Sequence, residues 1–145
     1  MTDFDVVYTL HVSLKGSRPL IWRRIEVPGV CPVNVLGNFI LGAMDWDGSH
    51  LWEFSVDGLI FNQKSDVFPW LQDVAEEGGL FTWLYDFGDH WLHEIRVEKV
   101  ETRPGTPWVL HLLGGERACP PDDAGGIQAW QDYVEHWQDP GHPAS

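Results

Sequence analysis

Regular alternation of aromatic and other residues across positions 81–97 is the feature that most constrains the fold of this chain. Aromatic residues occupy every second position from Phe81 to Phe87, and a second alternating run extends from Trp91 to Val97. A period of two is typical of a strand with one buried face, and a glycine-containing break between two such runs predicts an antiparallel hairpin. The chain must therefore build a sheet with at least one face in a core.

Two registers compete for this hairpin. A two-residue turn at Gly88 and Asp89 would place Glu94 opposite Trp83 and bring charge onto the aromatic face. A three-residue loop of 88–90 avoids this, and it places Asp86 and Asp89 near the hairpin tip. It pairs Phe87 with Trp91, Tyr85 with His93, Trp83 with Ile95 and Phe81 with Val97 on one face, and Thr82 with Arg96 on the other. We therefore expect the second register.

The same alternation predicts further strands elsewhere in the chain. Residues 8–14 and 21–27 flank a turn at 15–19, and residues 52–56 and 59–61 flank Asp57-Gly58, which is a strong hairpin signal. A further short strand is expected over 108–113. Both pairs of runs therefore predict hairpins.

Helical periodicity appears in two longer segments. Apolar residues from Val35 to Met44, and again from Ile127 to Trp137, recur at the spacing of one helix face. A short helix is also expected after Pro69. The elements together predict an α+β fold: a single domain over residues 1–145 with a core over roughly 8–138, mostly an antiparallel sheet of hairpins, with a helix after the second strand and a C-terminal helix.

Composition limits the class of protein. The 145 residues include nine Trp and are 43% hydrophobic, which is far from the composition of disordered chains. No stretch approaches the roughly 20 apolar residues of a membrane helix, and the acidic start does not resemble a secretory signal. Cys31 and Cys119 form no Cys-x-x-Cys pair, so free thiols are expected. A cytoplasmic location without membrane association is the prediction.

Charge indicates the type of partner. The formal net charge is −13, from 22 acidic and nine basic residues, whereas residues 8–27 alone carry a net charge of +3. Such acidity opposes contact with phosphate backbones, so no direct nucleic-acid binding is expected. It favours a protein or peptide partner with a basic surface, and the alternative is a surface that serves solubility alone.

Carboxylates suggest one candidate site. Asp86, Asp89, Asp122 and Asp123, with His50, His90 or His93, could hold a divalent cation such as magnesium, manganese or calcium and activate water for hydrolysis; Asp86, Asp89 and His93 are the leading ligand candidates. The alternative is structural: the first two aspartates shape the hairpin tip, Asp123 caps the last helix and His93 packs opposite Tyr85. Both interpretations remain open here.

Arginines and one tryptophan supply the other candidates. Arg23 and Arg24 could clamp an anion, but Arg24 is expected on a solvated face and Arg23 in an ion pair with a buried carboxylate such as Glu53. Trp46 lies between two aspartates in a loop, where a recognition role is open. The resulting candidate cleft comprises Arg23, Arg24, Trp46, Asp47, His50, Glu53, Tyr85, Asp86, Asp89, His93, Asp122 and Asp123.

Four ordered segments resemble a known family. They are Ile21-Trp22-Arg23-Arg24, the run 43–51 (AMDWDGSHL), the run 85–95 (YDFGDHWLHEI) and the run 117–126 (RACPPDDAGG). In this order they resemble the plasmid pRiA4b ORF-3-like family over roughly residues 8–143. The resemblance implies an α+β fold and an association with mobile genetic elements, and it implies no established activity.

Some members of that family carry the label of a transposon TnpR-like passenger protein. The acidic motifs here do not fit recombinase chemistry, which needs a nucleophile in an arginine-rich phosphate pocket. The chain also lacks family residues: a His where Trp52 stands, a His near Gly37, and Cys near Leu112 and Ala124. Because this chain lacks these potential ligands, analogy with the family gives no reason to expect a metal site.

The function predicted from these features is a non-enzymatic binding or interaction module with an acidic surface. No set of nucleophile, base and orienting group is visible in the sequence, so an enzyme is not the first expectation. The alternatives are a divalent-metal-dependent hydrolase using the clustered carboxylates and, third, a mimic of nucleic acid. No cofactor is expected beyond that divalent cation.

Overall fold

A seven-stranded antiparallel sheet is the framework of the molecule. The computed structural model describes residues 5–105, 107–121 and 124–138. Its elements are β1 Val6–Leu14, β2 Trp22–Pro28, α1 Val33–Met44, β3 Trp52–Val56, β4 Leu59–Asn62, α2 Leu71–Val74, β5 Leu80–Tyr85, β6 Trp91–Thr102, β7 His111–Glu116 and α3 Ile127–Gln138. Within these residues the strand order is β4-β3-β5-β6-β1-β2-β7. The predicted single-domain α+β fold is confirmed.

The sheet is built around β1, which pairs with β2 on one side and with β6 on the other. Helix α1 carries the chain across the sheet from β2 to β3 and lies on one face. Its residues Leu36, Ile40 and Met44 share a buried cluster with the inward-facing residues of the strands. Gly37 allows the close approach, since a Cβ there would lie 3.3 Å from Phe54 and Trp83. The core therefore lies between α1 and the sheet.

The opposite face of the sheet is polar and partly exposed. Arg24 pairs with Glu98 across β1, at 2.7 Å between Nε and Oε1, and its guanidinium lies 5.1 Å from the Trp22 ring centroid. His11 stacks on the same Trp22 ring. Arg24 thus lies on the polar face with its side chain 39% exposed. In the described part of the chain, no helix is long and apolar enough to cross a membrane.

The predicted register of the 81–97 hairpin is wrong by two residues. Tyr85 pairs with Trp91, Trp83 with His93, Phe81 with Ile95, Thr82 with Glu94 and Leu80 with Arg96. The loop takes five residues because Asp86 and His90 both adopt left-handed backbone, at φ 64° and 61°, and the His90 N–H donates to the Asp86 carbonyl. A shift of two keeps every residue that remains in the two strands on its predicted face, which is why the pattern could not reveal it. Phe87 lies at the tip, 46% exposed.

The other hairpins are confirmed, with one strand displaced. Residues 6–14 pair with 22–28, and the Asp57-Gly58 turn joins β3 to β4. The strand expected over 108–113 instead covers His111–Glu116. Pro107 and the irregular backbone at 108–110 precede it, so the apolar run that suggested a strand begins in a loop.

Candidate functional site

Three of the motif segments meet at one end of the sheet. The Nε2 atom of His50 lies 3.5 Å from Oδ2 of Asp86, and the Tyr85 hydroxyl donates to Oδ1 of Asp47 over 3.4 Å. The Asp86 N–H donates to the Leu51 carbonyl, so the 45–51 loop lies directly beside the hairpin tip. These four candidate residues are therefore brought together.

The carboxylates at the hairpin tip hold backbone groups. Oδ1 of Asp86 accepts the N–H groups of Gly88 and Asp89, at 3.0 and 3.2 Å, which is the pattern of an aspartate that shapes its own turn. Oδ2 of Asp89 accepts the Gly125 N–H at 3.1 Å. Gly126 is required beside it, because a Cβ there would lie 2.7 Å from the Asp89 carbonyl oxygen. Both carboxylates therefore fix loops.

Trp46 belongs to the core and not to an exposed recognition loop. It is 6% exposed, and its Nε1–H donates to the Pro120 carbonyl at 2.8 Å. Its ring stacks on those of Tyr85 and Trp91, with centroids 5.3 and 5.6 Å away. The left-handed Asp45 ends α1 and turns the indole inward, which no periodicity could indicate. Trp46 thus anchors the chain at Pro120 to the sheet.

His93 is fully buried beneath the same aromatic rings. Its Nδ1 lies 3.0 Å from the Trp83 carbonyl oxygen and must carry the proton, because a carbonyl only accepts. Burial lowers the pKa of His93 to about 4, against the opposing effect of backbone hydrogen bonds at Trp83 and Trp91. It packs opposite Trp83, and not opposite Tyr85 as expected.

Arg23 does not form the predicted ion pair with Glu53. Its Nε donates to the Ala43 carbonyl at the end of α1, and its Nη1 donates to the carbonyls of Trp22 and Glu116. Its Nη2 approaches the Cys119 sulfur at 3.3 Å. Glu53 lies on β3, opposite Asn62 and Leu84. Since β2 and β3 lie on different sides of the central strands, the two side chains stay apart.

The described residues supply no metal centre. No group of three His, Cys, Asp or Glu side chains within them could hold a metal ion. Asp122 and Asp123, and with them the predicted helix cap, lie outside the described residues. The candidate cleft is thus divided: Asp47, His50, Tyr85 and Asp86 meet at the hairpin tip with Asp89 beside them, Trp46 and His93 lie in the core below, and Arg23, Arg24 and Glu53 lie elsewhere on the sheet.

A different surface combines acidic groups with exposed apolar ones. Asp57, Glu76 and Leu80 line a shallow cavity of about 90 Å³, and no basic residue lines it. Leu80 on β5 is 47% exposed, and Leu59 and Ile60 on the edge strand β4, which β3 separates from β5, are 51% and 58% exposed. We call Asp57, Leu59, Ile60, Glu76, Glu77 and Leu80 the acidic apolar surface.

Local contacts hold this surface in shape. The Glu77 carboxylate accepts the Val100 N–H at 2.8 Å, and the Tyr8 hydroxyl donates to the Ala75 carbonyl at 2.6 Å. Burial raises the pKa of Tyr8, and the nearby charges of Glu76 and Asp73 raise it further. Sequence reasoning missed the surface because its carboxylates come from two loops, which only the pairing of β3 with β5 brings together. The Asp57-Gly58 and Glu76-Glu77 runs were the available signals.

Known proteins resemble the chain along most of its length. The model of the plasmid pRiA4b ORF-3-like protein family matches residues 6–145. The uncharacterized protein y4hQ of Sinorhizobium fredii is 33% identical over 151 residues, which cover 94% of this chain and 75% of that protein. MM3350, a protein of unknown function from Methanosarcina mazei, has a crystal structure that matches with a TM-score of 0.85 at 32% identity, covering 97% of this chain and 85% of that one. The chain belongs to the plasmid pRiA4b ORF-3-like family.

Proposed function

We propose that this protein is a non-enzymatic binding module whose acidic apolar surface takes a protein or peptide segment of basic and apolar residues. The observation that carries the proposal is the exposure of three large apolar side chains, Leu59, Ile60 and Leu80, together with a cavity that Leu80 lines with Asp57 and Glu76 and that no basic residue lines. Exposed apolar groups rimmed by polar residues on a folded domain mark interaction sites.

Charge supports the class of partner. Among the described residues, Arg18, Arg24, Lys99 and Arg103 form ion pairs with carboxylates, and Arg23 is bound to carbonyl groups. The acidic excess of the chain is therefore poorly neutralised at its surface. A basic segment would be steered toward such a surface, and its apolar side chains would cover the exposed leucines and isoleucine.

The carboxylates at the hairpin tip support a binding role more than a hydrolytic one. Asp86 and Asp89 accept backbone N–H groups, and the described residues around them offer no metal-binding set. An oxygen ligand set for a hard cation would need several such groups turned toward one point. A cytoplasmic location and an association with mobile genetic elements remain predictions.

Selection from a random peptide library tests the proposal. We expect the selected peptides to be enriched in Lys or Arg together with apolar residues. Their binding, measured by fluorescence anisotropy, should weaken about tenfold or more in the variant Asp57→Asn/Glu76→Gln, since each factor of ten is about 1.4 kcal/mol. The matched control is Asp132→Asn/Glu135→Gln on α3, which changes the charge equally and should leave binding unaltered.

Three results would contradict the proposal. They are the recovery of acidic or no peptides, an equal effect of both charge variants, and a reproducible turnover of substrate by the protein. The protein can be tested for competition with DNA for a DNA-binding protein. If it competes, and the Asp57→Asn/Glu76→Gln variant competes equally well, the result supports the nucleic-acid mimic instead.

A further inference from the structure

The edge strand β7 has an unusual sequence for a strand with one open side. Its six residues are His-Leu-Leu-Gly-Gly-Glu, and within the described residues it pairs only with β2. Leu112 and Leu113 are 54% and 51% exposed. An exposed edge with apolar side chains is a template for a further strand.

A bulge determines which face each residue of β7 occupies. The register shifts between Arg24, which pairs with Gly114, and Ile25, which pairs with Leu112, so Leu113 is the extra residue. His111 and Glu116 pair with Glu26 and Trp22, which lie on the polar face of the sheet. Leu112 and Gly115 pair with Ile25 and Arg23, which lie on the other face. The bulge thus puts the first and last residues of β7 on one face despite their odd spacing.

We propose that two copies of this chain associate through β7, antiparallel and about a two-fold axis between Leu113 and Gly114. In that register His111 lies opposite Glu116 of the second copy, Leu112 opposite Gly115, and Leu113 opposite Gly114. Every bulky side chain then faces a glycine and every imidazole faces a carboxylate. Two seven-stranded sheets become one continuous sheet.

Space for the second copy exists along this strand. An open groove of about 480 Å³ is lined by Arg23 and residues 112–118. A Cβ at Gly114 would meet nothing within 4 Å, so the position has room for the leucine of the other copy. Gly115 differs, because a Cβ there would lie 2.6 Å from the Trp22 carbonyl and 2.7 Å from Arg23 Cδ. The Arg23 side chain passes over Gly115 and forms the floor on which the opposing Leu112 would pack.

A second copy fits this edge better than an unrelated strand because the edge is complementary to itself. Symmetric dimers need a patch whose residues match in reverse order, which the size pattern and the charge pattern of β7 both provide. The surface is distinct from the acidic apolar surface, which lies at the β4 end of the sheet. The proposed dimer therefore does not depend on the proposed binding function.

Analytical ultracentrifugation of the full chain from about 1 μM to about 1 mM tests the dimer. The variant Gly114→Val should fold as the parent does, with the same melting temperature for the monomer, and should raise the dissociation constant about tenfold or more. Ile60→Ser on the other edge is the matched control and should not change it. A chain that stays monomeric at all concentrations, or a dimer insensitive to Gly114→Val, would overturn the proposal.

Charge exchange tests the register. Glu116→Lys should weaken the dimer, because lysine would face His111, and the double variant His111→Glu/Glu116→Lys should restore it. A double variant no tighter than Glu116→Lys alone would exclude this pairing. Peptide binding at the acidic apolar surface should be the same as in the parent for Gly114→Val, Glu116→Lys and His111→Glu/Glu116→Lys, none of which lies in that surface.

Discussion

At the scale of single residues, His93 shows how the aromatic core controls ionisation. The side chain is fully buried, with the Trp83 ring centroid 4.9 Å and the Trp46 ring centroid 5.3 Å from its own. Protonation would add a charge to Nε2, which has no hydrogen-bond partner among the described residues. The desolvation cost of that charge explains the direction of the pKa change.

This environment predicts a pH dependence of stability. With a pKa of about 4 in the folded state and 6.5 in a solvated chain, only the unfolded state takes up a proton between these values. The free energy of unfolding should therefore fall as pH decreases from 6.5 to 4, by about 3 kcal/mol in total, at about 1.4 kcal/mol per pKa unit. Urea unfolding at pH 7 and pH 4 measures this change.

The variant His93→Gln is the control for that experiment, since glutamine keeps an N–H donor but does not titrate. Its stability should fall less over the same interval. The carboxylates of Glu98 and Glu101, whose pKa values are lowered by Arg24 and Arg103, lose their stabilising charge at lower pH in both proteins. Equal pH slopes in parent and variant would contradict the assignment to His93.

Single residues also show where sequence reasoning was insufficient. The in-phase position of Arg23 indicated correctly that it lies among inward-facing residues, but the pattern along one strand cannot reveal which groups lie across the core. Its partners are carbonyl groups at the ends of α1 and β7, because those ends approach β2 in space. Trp46 was misjudged for the same reason: the left-handed backbone at Asp45 decides its direction.

At the scale of elements, the buried side chain of Gln131 links α3 to the turn between β1 and β2. Gln131 is 3% exposed; its Oε1 accepts the Arg18 N–H at 3.0 Å and its Nε2 donates to the Arg18 carbonyl at 2.9 Å. Ile127 packs close to Gly16 in the same turn. The C-terminal helix thus docks on the turn between β1 and β2.

Replacement of Gln131 should release α3 locally. Gln131→Ala removes both hydrogen bonds, each of which contributes about 0.5–1.5 kcal/mol to stability, so the change should cost about 1–3 kcal/mol. Hydrogen exchange followed by mass spectrometry should show faster exchange in α3 than in β1 or β6. Gln128→Ala removes only a bond to Asp132 at the surface and serves as the control. Equal protection of α3 in both variants would contradict this role.

The sequence was most informative about the positions of the strands and helices. Alternation located both hairpins and the 81–97 strands, and the period of the helix residues located α1 and α3. Register was harder, since shifts by two residues leave the hydrophobic pattern unchanged. The five-residue loop depends on two left-handed residues, Asp86 and His90, and neither is a glycine that would have marked the position.

At the scale of the whole molecule, repulsion between acidic groups should outweigh the ion pairs. The Arg18–Glu135 and Lys99–Glu101 pairs lie at the surface, where water and salt screen the attraction and keep its contribution to stability small. The net charge of −13 acts on the entire surface and opposes compaction. Raising the salt from about 10 mM to about 150 mM, which shortens the Debye length from about 30 to about 8 Å, should therefore raise the melting temperature.

Differential scanning calorimetry measures this effect. The Asp57→Asn/Glu76→Gln variant carries two fewer negative charges and should show a smaller rise with salt than the parent. A melting temperature that falls as salt is added would mean that the ion pairs dominate.

The order of the strands, β4-β3-β5-β6-β1-β2-β7, could not be predicted from the sequence, because no local pattern specifies that α1 crosses the sheet.

The pairing of β1 with β6 also has a consequence for synthesis of the chain. Val12 pairs with Ile95, so the central ladder of the sheet joins residues that leave the ribosome far apart in time. At a synthesis rate of about 5–20 residues per second, β1 leaves the ribosome several seconds before β6, the strand with which it pairs. During that interval the apolar face of the first hairpin is exposed, and its neighbouring strand positions are empty. The nascent chain is therefore most vulnerable to misassociation, and most dependent on chaperones, before β6 emerges.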